Sequence, residues 1–147
     1  MLAVSGELIE KHGGPTVSSA SRARTIYVKR MRNTPDTFLH VFDAANGLNS
    51  VAVRNTTTTP IQSLAMINGK ITLARAKTMA ARLTNRNHST PDELIDYAVQ
   101  LTWGRRPTSQ EFESALEFIV KDSKIDNAKL IDFCHVLLNS NEFLYID

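Results

Sequence analysis

The apolar positions of this chain change their rhythm near residue 59. From Thr59 onward they recur at the spacing that puts one stripe of a helix against a core. Before it the periodicity is weak and turn residues interrupt it. The pattern predicts a mainly α fold: a helical bundle of about five helices over 59–147, after an irregular N-terminal part, 1–58, holding up to two short strands. All 147 residues are read as a single domain.

Local signals place the helices. Thr59-Pro60 sets an N-cap hydroxyl before a proline whose missing N–H costs nothing there, and the helix should carry Gln62, Leu64, Ala65, Met66 and Ile67. Asn68-Gly69 should end it, with Gly69 as a left-handed cap. A second helix should bury Leu73, Ala76, Met79, Ala80 and Leu83, turn Arg75, Thr78 and Arg82 the other way, and stop near Asn85 to His88. Thr90-Pro91-Asp92-Glu93 reads as a capping box, and Thr108 with Glu111 as another. Gly104 separates their helices. Asp126 starts a last helix, apolar on so many sides that it belongs at the centre of a core.

The first part is less regular. Gly13-Gly14-Pro15 is a turn, and Thr25-Ile26-Tyr27-Val28 has the composition of a short strand. Thr34-Pro35-Asp36 should start a short helix capped by Thr34, and Asn46-Gly47 should then turn the chain. Ser50-Val51-Ala52-Val53 suggests a second strand.

Charge adds one asymmetry. The net charge is +2, too small by itself to imply a nucleic-acid partner, and none is expected. Residues 1–60 carry seven Lys/Arg against four Asp/Glu, whereas 61–147 carry ten against eleven. Arg22, Arg24, Lys29, Arg30 and Arg32 have no acid among them, which fits either a small anion-binding face or a solvated strand and loop. No apolar run is long enough to span a bilayer, and Met1 to Gly14 lacks the layout of a signal peptide.

Recognisable chemistry is sparse. His12, His40, His88 and His135 show no helical ligand spacing, so no metal site is expected; His135 reads as a hydrogen-bonded core-edge residue. The single cysteine, Cys134, lies in the most apolar helix and should behave as a buried hydrophobe with a raised pKa. There is no C-x-x-C-H haem attachment run, no nucleophile elbow and no glycine-rich phosphate loop. Glu142 is read as a local cap or a salt-bridge partner rather than a catalytic acid, and Trp103 as a core-edge packing residue. One polar segment stands out, Arg54 to Gln62, which runs into a helix N-terminus where free N–H groups favour an anion. Arg54, Asn55, Thr56 and Gln62, with Arg24 and Arg30, are the candidate ligand-binding residues. The other reading is that Asn55 and the threonines fix the loop's own backbone. A binding role requires Arg54, Asn55 and Gln62 on a concave open surface; a structural role requires them internally satisfied.

With the segments placed, several motifs resemble one family in order along the chain. Leu2-Ala3-Val4-Ser5-Gly6 with Gly13-Gly14-Pro15 is similar to an "LAVSG…GGP" opening, and Arg24-Thr25-Ile26-Tyr27 to "RSIY". Phe38 to Asp43 resembles "FLEAFD", and Arg54 to Leu64 resembles "RNVSTTPLQAL", with threonines at Thr56 and Thr57 in place of Val and Ser. Gly104-Arg105-Arg106-Pro107 resembles "LGRPP", and Leu137 to Tyr145 resembles "LLNSNEFLYVD". These are motifs of the planctomycete-type secreted proteins known as domain of unknown function 1553. The resemblance implies a C-terminal portion of a longer exported protein, with a signal peptide, companion domains as partners, and often a cytochrome-c-like module upstream that carries a c-type haem. It brings no catalytic residue. The expected function is a non-catalytic packing or interaction module of an exported multidomain bacterial protein. The alternative is a ligand-binding or catalytic domain for extracellular polysaccharide or another anionic substrate.

Overall fold

The computed structural model describes residues 1–10, 12–18, 20–31, 34, 36–44, 59–86, 90–121 and 124–145. Among them are eight α-helices: α1 (Leu2–Ser5), α2 (Thr37–Val41), α3 (Pro60–Asn68), α4 (Lys70–Asn85), α5 (Pro91–Trp103), α6 (Ser109–Ile119), α7 (Asn127–Asn139) and α8 (Asn141–Leu144). A small antiparallel sheet pairs β1 (Val120–Lys121) with β2 (Lys124–Ile125), Val120 opposite Ile125. The fold is mainly helical, as the apolar rhythm predicts. The chain forms two compact units: unit 1 is Met1–Glu7 with Gly69–Asp147, and unit 2 is Leu8–Asn68. The chain therefore leaves unit 1 after Glu7 and re-enters it at Gly69.

Unit 1 is built on helices with well-made ends. Thr90 Oγ1 accepts the Glu93 N–H at 3.3 Å, and Thr108 with Glu111 completes a reciprocal capping box. The Asp126 carboxylate accepts the N–H groups of Ala128 and Lys129. Gly104 closes α5 at φ 72°, a left-handed geometry that a side chain would strain. Between these ends one core forms. It takes Ala76, Met79, Ala80 and Leu83 from α4; Leu94, Ile95, Ala98 and Val99 from α5; and Ala115 and Ile119 from α6. From α7 it takes Leu130, Phe133, Cys134, Leu137 and Leu138. Each side chain comes from the i, i+3/i+4 row of its helix. α7 packs against α4, α5, α6 and α8, which explains its wide apolar surface.

Helix α1 lies on α4 and is held there by the arginines. Arg82 Nη1 donates to the carbonyls of Ala3 (3.1 Å) and Val4 (2.6 Å). Arg75 Nη1 lies 2.7 Å from Glu7 Oε2, which also accepts from Ser5 Oγ at 3.0 Å. Gly6 ends α1 at φ 80°, and a Cβ there would meet Arg82 Cδ at 3.2 Å. The polar side of α4 is thus used to bind an N-terminal segment that hydrophobic periodicity alone does not pair with it.

Four local expectations change. Leu73 is 37% exposed, and Thr72 is fully buried in its place. At helical spacing Thr72 lies about 30° from the centre of the α4 stripe and Leu73 about 70°. The Thr72 hydroxyl is satisfied by the Gly69 carbonyl at 2.8 Å, so its burial carries no orphaned polar group. Gly69 is not a left-handed cap of α3 but the extended N-cap of α4 (φ −68°), its carbonyl also accepting the Leu73 N–H. Thr25–Tyr27 is a 3-10 turn rather than a strand, because Val28 has only an isolated bridge to Val17. Without a ladder, β-branched composition does not hold an extended strand. The cap of α2 is Asp36, whose carboxylate accepts the Leu39 N–H at 3.0 Å; Thr34 instead bridges to Met31. The suggested strand at 50–53 and the turn at Asn46-Gly47 lie outside the described residues.

Among the described residues of unit 2, polar and backbone contacts are prominent. Val17 donates to Tyr27 O and accepts from Lys29 N, while Ile9 N donates to Arg22 O. At the end of α2, Ala44 N donates back to Leu39 O around Asp43, which takes φ 56°. Its buried apolar residues, among those described, are Ala23 and Met66.

Two outcomes are expected. Leu137→Ala, at a 1% exposed position, should destabilise unit 1 by about 2–5 kcal/mol in chemical denaturation. Replacing residues 8–68 by a short Gly/Ser linker should leave a cooperatively folding unit 1, since the Glu7–Arg75 pair holds one exit close to the other: Arg75 is only about 9 Å along α4 from Gly69. Loss of the cooperative melt in that variant would show that unit 1 depends on unit 2.

Candidate functional site

The sequence-derived candidates fall into two groups. Arg54, Asn55 and Thr56 lie outside the described residues. Gln62 is described, and its amide is engaged. Gln62 Oε1 accepts the Thr59 N–H at 3.2 Å while Thr59 Oγ1 accepts the Gln62 N–H at 3.3 Å, a capping box in which Gln replaces Glu. Gln62 Nε2 donates to Asp43 Oδ2 at 3.3 Å, tying α3 to the turn after α2. This half-buried, internally bonded amide has the geometry of the structural alternative. Arg24 and Arg30 are both exposed in unit 2, on either side of the 3-10 turn.

The most developed polar cluster was only partly legible. Arg105, just after Gly104, binds two carboxylates. Its Nη1 and Nη2 donate to Glu111 at 2.9 and 2.8 Å, and Nε and Nη2 donate to Glu142 at 2.7 and 2.9 Å. Its guanidinium also lies 4.9 Å from the centre of the Trp103 ring. Trp103 Nε1 donates to Ser140 Oγ at 2.7 Å, and that hydroxyl also caps α8 by accepting the Phe143 N–H. The motifs Gly104 to Pro107, Thr108 to Glu111 and Ser140 to Glu142 thus meet in one network. Glu142 is a salt-bridge partner and Trp103 a core-edge residue, as read from the sequence. The choice of Arg105 as the hub had no sequence signal, because its partners lie 6 and 37 residues away.

Electrostatics follow the geometry. Hydrogen bonds from Arg105 and from the Thr108 N–H hold the Glu111 carboxyl down at about 2, and the two carboxylates push the Arg105 pKa up. Burial raises the Cys134 thiol to about 12, which makes it a poor nucleophile. Arg105 Nη1 also donates to the Arg106 carbonyl at 3.0 Å, so the guanidinium is bonded to both carboxylates and to the backbone, and the cluster clamps the ends of α6 and α8. Glu7 and Arg75 form a second, more buried pair, their side chains 7% and 18% exposed. Arg75 Nε has no hydrogen-bond partner among the described residues, so the pair orients α1 rather than adding a fully compensated interaction. His135 Nε2 is likewise buried without a hydrogen-bond partner among the described residues, so the expected hydrogen bond is not formed there. Among the described residues no group of three or more His, Cys, Asp or Glu side chains is arranged to hold a metal ion, and no helix is long and apolar enough to cross a membrane.

The clamp predicts a pH signature. Because the folded-state pKa of Glu111 is depressed to about 2 from 4.5, its stabilisation is present above pH 4.5 and is lost as pH falls toward 2. Arg105→Gln should therefore melt a few degrees below the parent chain at neutral pH, with the gap narrowing as pH drops from 4.5 toward 2. A gap independent of pH would remove the ion pairs as its source.

Residues 1–119 match the model of the family described as "PSD1: Protein of unknown function (DUF1553)". The match runs from α1 through α6. No curated protein and no solved structure matches significantly. By a match covering most of its length, the chain belongs to the DUF1553 family of proteins of unknown function.

Proposed function

We propose that this chain is a non-catalytic packing or interaction module within a larger exported bacterial protein. The observation that carries this reading is the distribution of apolar surface. The core cluster draws all its buried residues from unit 1. Unit 2 exposes Ile9, Ile26, Met31, Ile61, Leu64 and Ile67, each more than half accessible, where among the described residues of unit 1 only Val136 and Tyr145 reach that exposure among the large apolar side chains. Ile61, Leu64 and Ile67 follow one another at three-residue steps along α3 and form an apolar row on it. Scattered exposed apolar residues are ordinary, whereas a row on one helix is the usual mark of a covered surface. The other domains of the parent protein are the proposed cover. Export, a C-terminal position and the planctomycete type rest on the motif resemblance.

The second reading, a ligand-binding or catalytic domain acting on extracellular polysaccharide or another anionic substrate, is favoured among the described residues by exposed Arg24 and Arg30. The Gln62 amide bonded to Thr59 and Asp43 weighs against it. A c-type haem in the parent would be held by other residues, since the single cysteine here is buried on α7 and has no second cysteine with it.

The test is association between this chain and the rest of its parent polypeptide, produced separately and followed by calorimetry. Leu64→Asp with Ile67→Asp should weaken binding at least about tenfold without changing the melting of unit 1, because each change puts a charge into a desolvated contact. Absence of any association at micromolar concentrations would sink the reading.

A further inference from the structure

Unit 2 carries seven Lys/Arg against three Asp/Glu, a balance of +4, while unit 1 carries ten against twelve, a balance of −2. Residues 11–35 contain no acid at all. Backbone hydrogen bonds join Val17 to the segment from Arg24 to Lys29. Val17 is bonded on both sides, to Tyr27 and to Lys29, and Tyr27 N–H and Val28 N–H return to Arg24 O and Thr25 O. The result is a short, backbone-fixed strip, Arg24 to Met31, in which the exposed cations Arg24 and Lys29 are interspersed with the exposed apolar side chains of Ile26 and Met31. Ile26 is 72% accessible and Met31 is 55% accessible.

From this mixture we infer that the Arg24–Met31 strip docks an acidic polypeptide segment that also bears apolar side chains. The inference rests on the interaction-module reading and names the chemistry of its partner. Three features select a polypeptide. A phosphate or sugar-carboxylate polymer would meet the cations but leave Ile26 and Met31 facing a polar chain, with no gain from burying them. An anionic bilayer is usually met by basic residues together with Trp, Phe or Leu, whereas residues 11–35 hold no Trp, Phe or Leu. Arg, Met and Tyr, all present between Arg24 and Met31, are enriched at protein–protein interfaces. Opposite charge brings the partner in and sets register, and the two apolar side chains supply the desolvated contacts that hold it.

The experiment uses the whole chain and a short labelled peptide of glutamates alternating with leucines, followed by fluorescence anisotropy. Polyglutamate of the same length and phosphatidylglycerol-containing vesicles are the other probes. Saturable, salt-sensitive binding of the mixed peptide is expected, with weaker binding of polyglutamate. Arg24→Glu with Lys29→Glu should weaken it about tenfold or more, and Ile26→Ser about threefold, with the melting curve unchanged because these side chains are exposed. No saturable binding, equal binding of polyglutamate, tighter binding to vesicles, or indifference to both variants would each overturn the inference. The same variants separate it from the broader reading. If the parent polypeptide still binds Arg24→Glu/Lys29→Glu normally but not Leu64→Asp/Ile67→Asp, the strip is not the docking surface and the module reading stands.

Discussion

Unit 1 depends on the burial of α7. This helix carries apolar side chains around most of its circumference, and a helix of that kind cannot remain at a surface. Leu130, Phe133, Cys134, Leu137 and Leu138 therefore face α4, α5 and α6, each large aliphatic side chain contributing about 2 kcal/mol on leaving water. α4, α5, α6 and α8 each pack against α7, which makes it the common partner of the bundle. Val136, 64% exposed, marks the solvent side that remains.

The polar residues act at the helix ends, where the core cannot. Helix termini leave backbone groups unpaired, and Thr90, Thr108, Asp126 and Ser140 each accept N–H groups there. Arg105 then joins two such ends by pairing Glu111 of α6 with Glu142 of α8. The cluster is about one-third exposed, so its ion pairs are screened and its role is mainly geometric. At the other side of α4, Arg75 and Arg82 do the same for α1 by binding Glu7 and two carbonyls. Basic residues that read as a solvent face are thus partly committed to intramolecular contacts.

Unit 2 follows a different economy. Its described residues hold together through turns, caps and bridges, and several large apolar side chains face outward. Conformational entropy makes residues held by so few buried apolar side chains, Ala23 and Met66 among those described, expensive to order. A covering surface would offset that cost, and the positive balance of unit 2 favours an acidic cover. The family gives the chain a place among proteins of unknown function, while the chemistry of its surface supplies the direction in which to look.

The sequence by itself determined what is local. Helix spacing, the Thr108–Glu111 box, the stop at Gly104, the start at Asp126 and the centrality of α7 all follow from neighbours within a few residues, where backbone hydrogen bonding and side-chain periodicity act. The burial and inertness of Cys134 were equally legible, because it lies in an apolar helix. Glu142 could be read as a salt-bridge partner but not paired. Only the tertiary structure chose Arg105 for it, seated Glu7 against Arg75, and buried Thr72 instead of Leu73. These choices depend on which side chains meet across many residues of chain and on whether a hydroxyl finds an acceptor at the packed surface. Gln62 had two readings from sequence, part of a polar binding segment or an internally bonded side chain, and only the tertiary structure shows its amide bonded to Thr59 and Asp43 within unit 2.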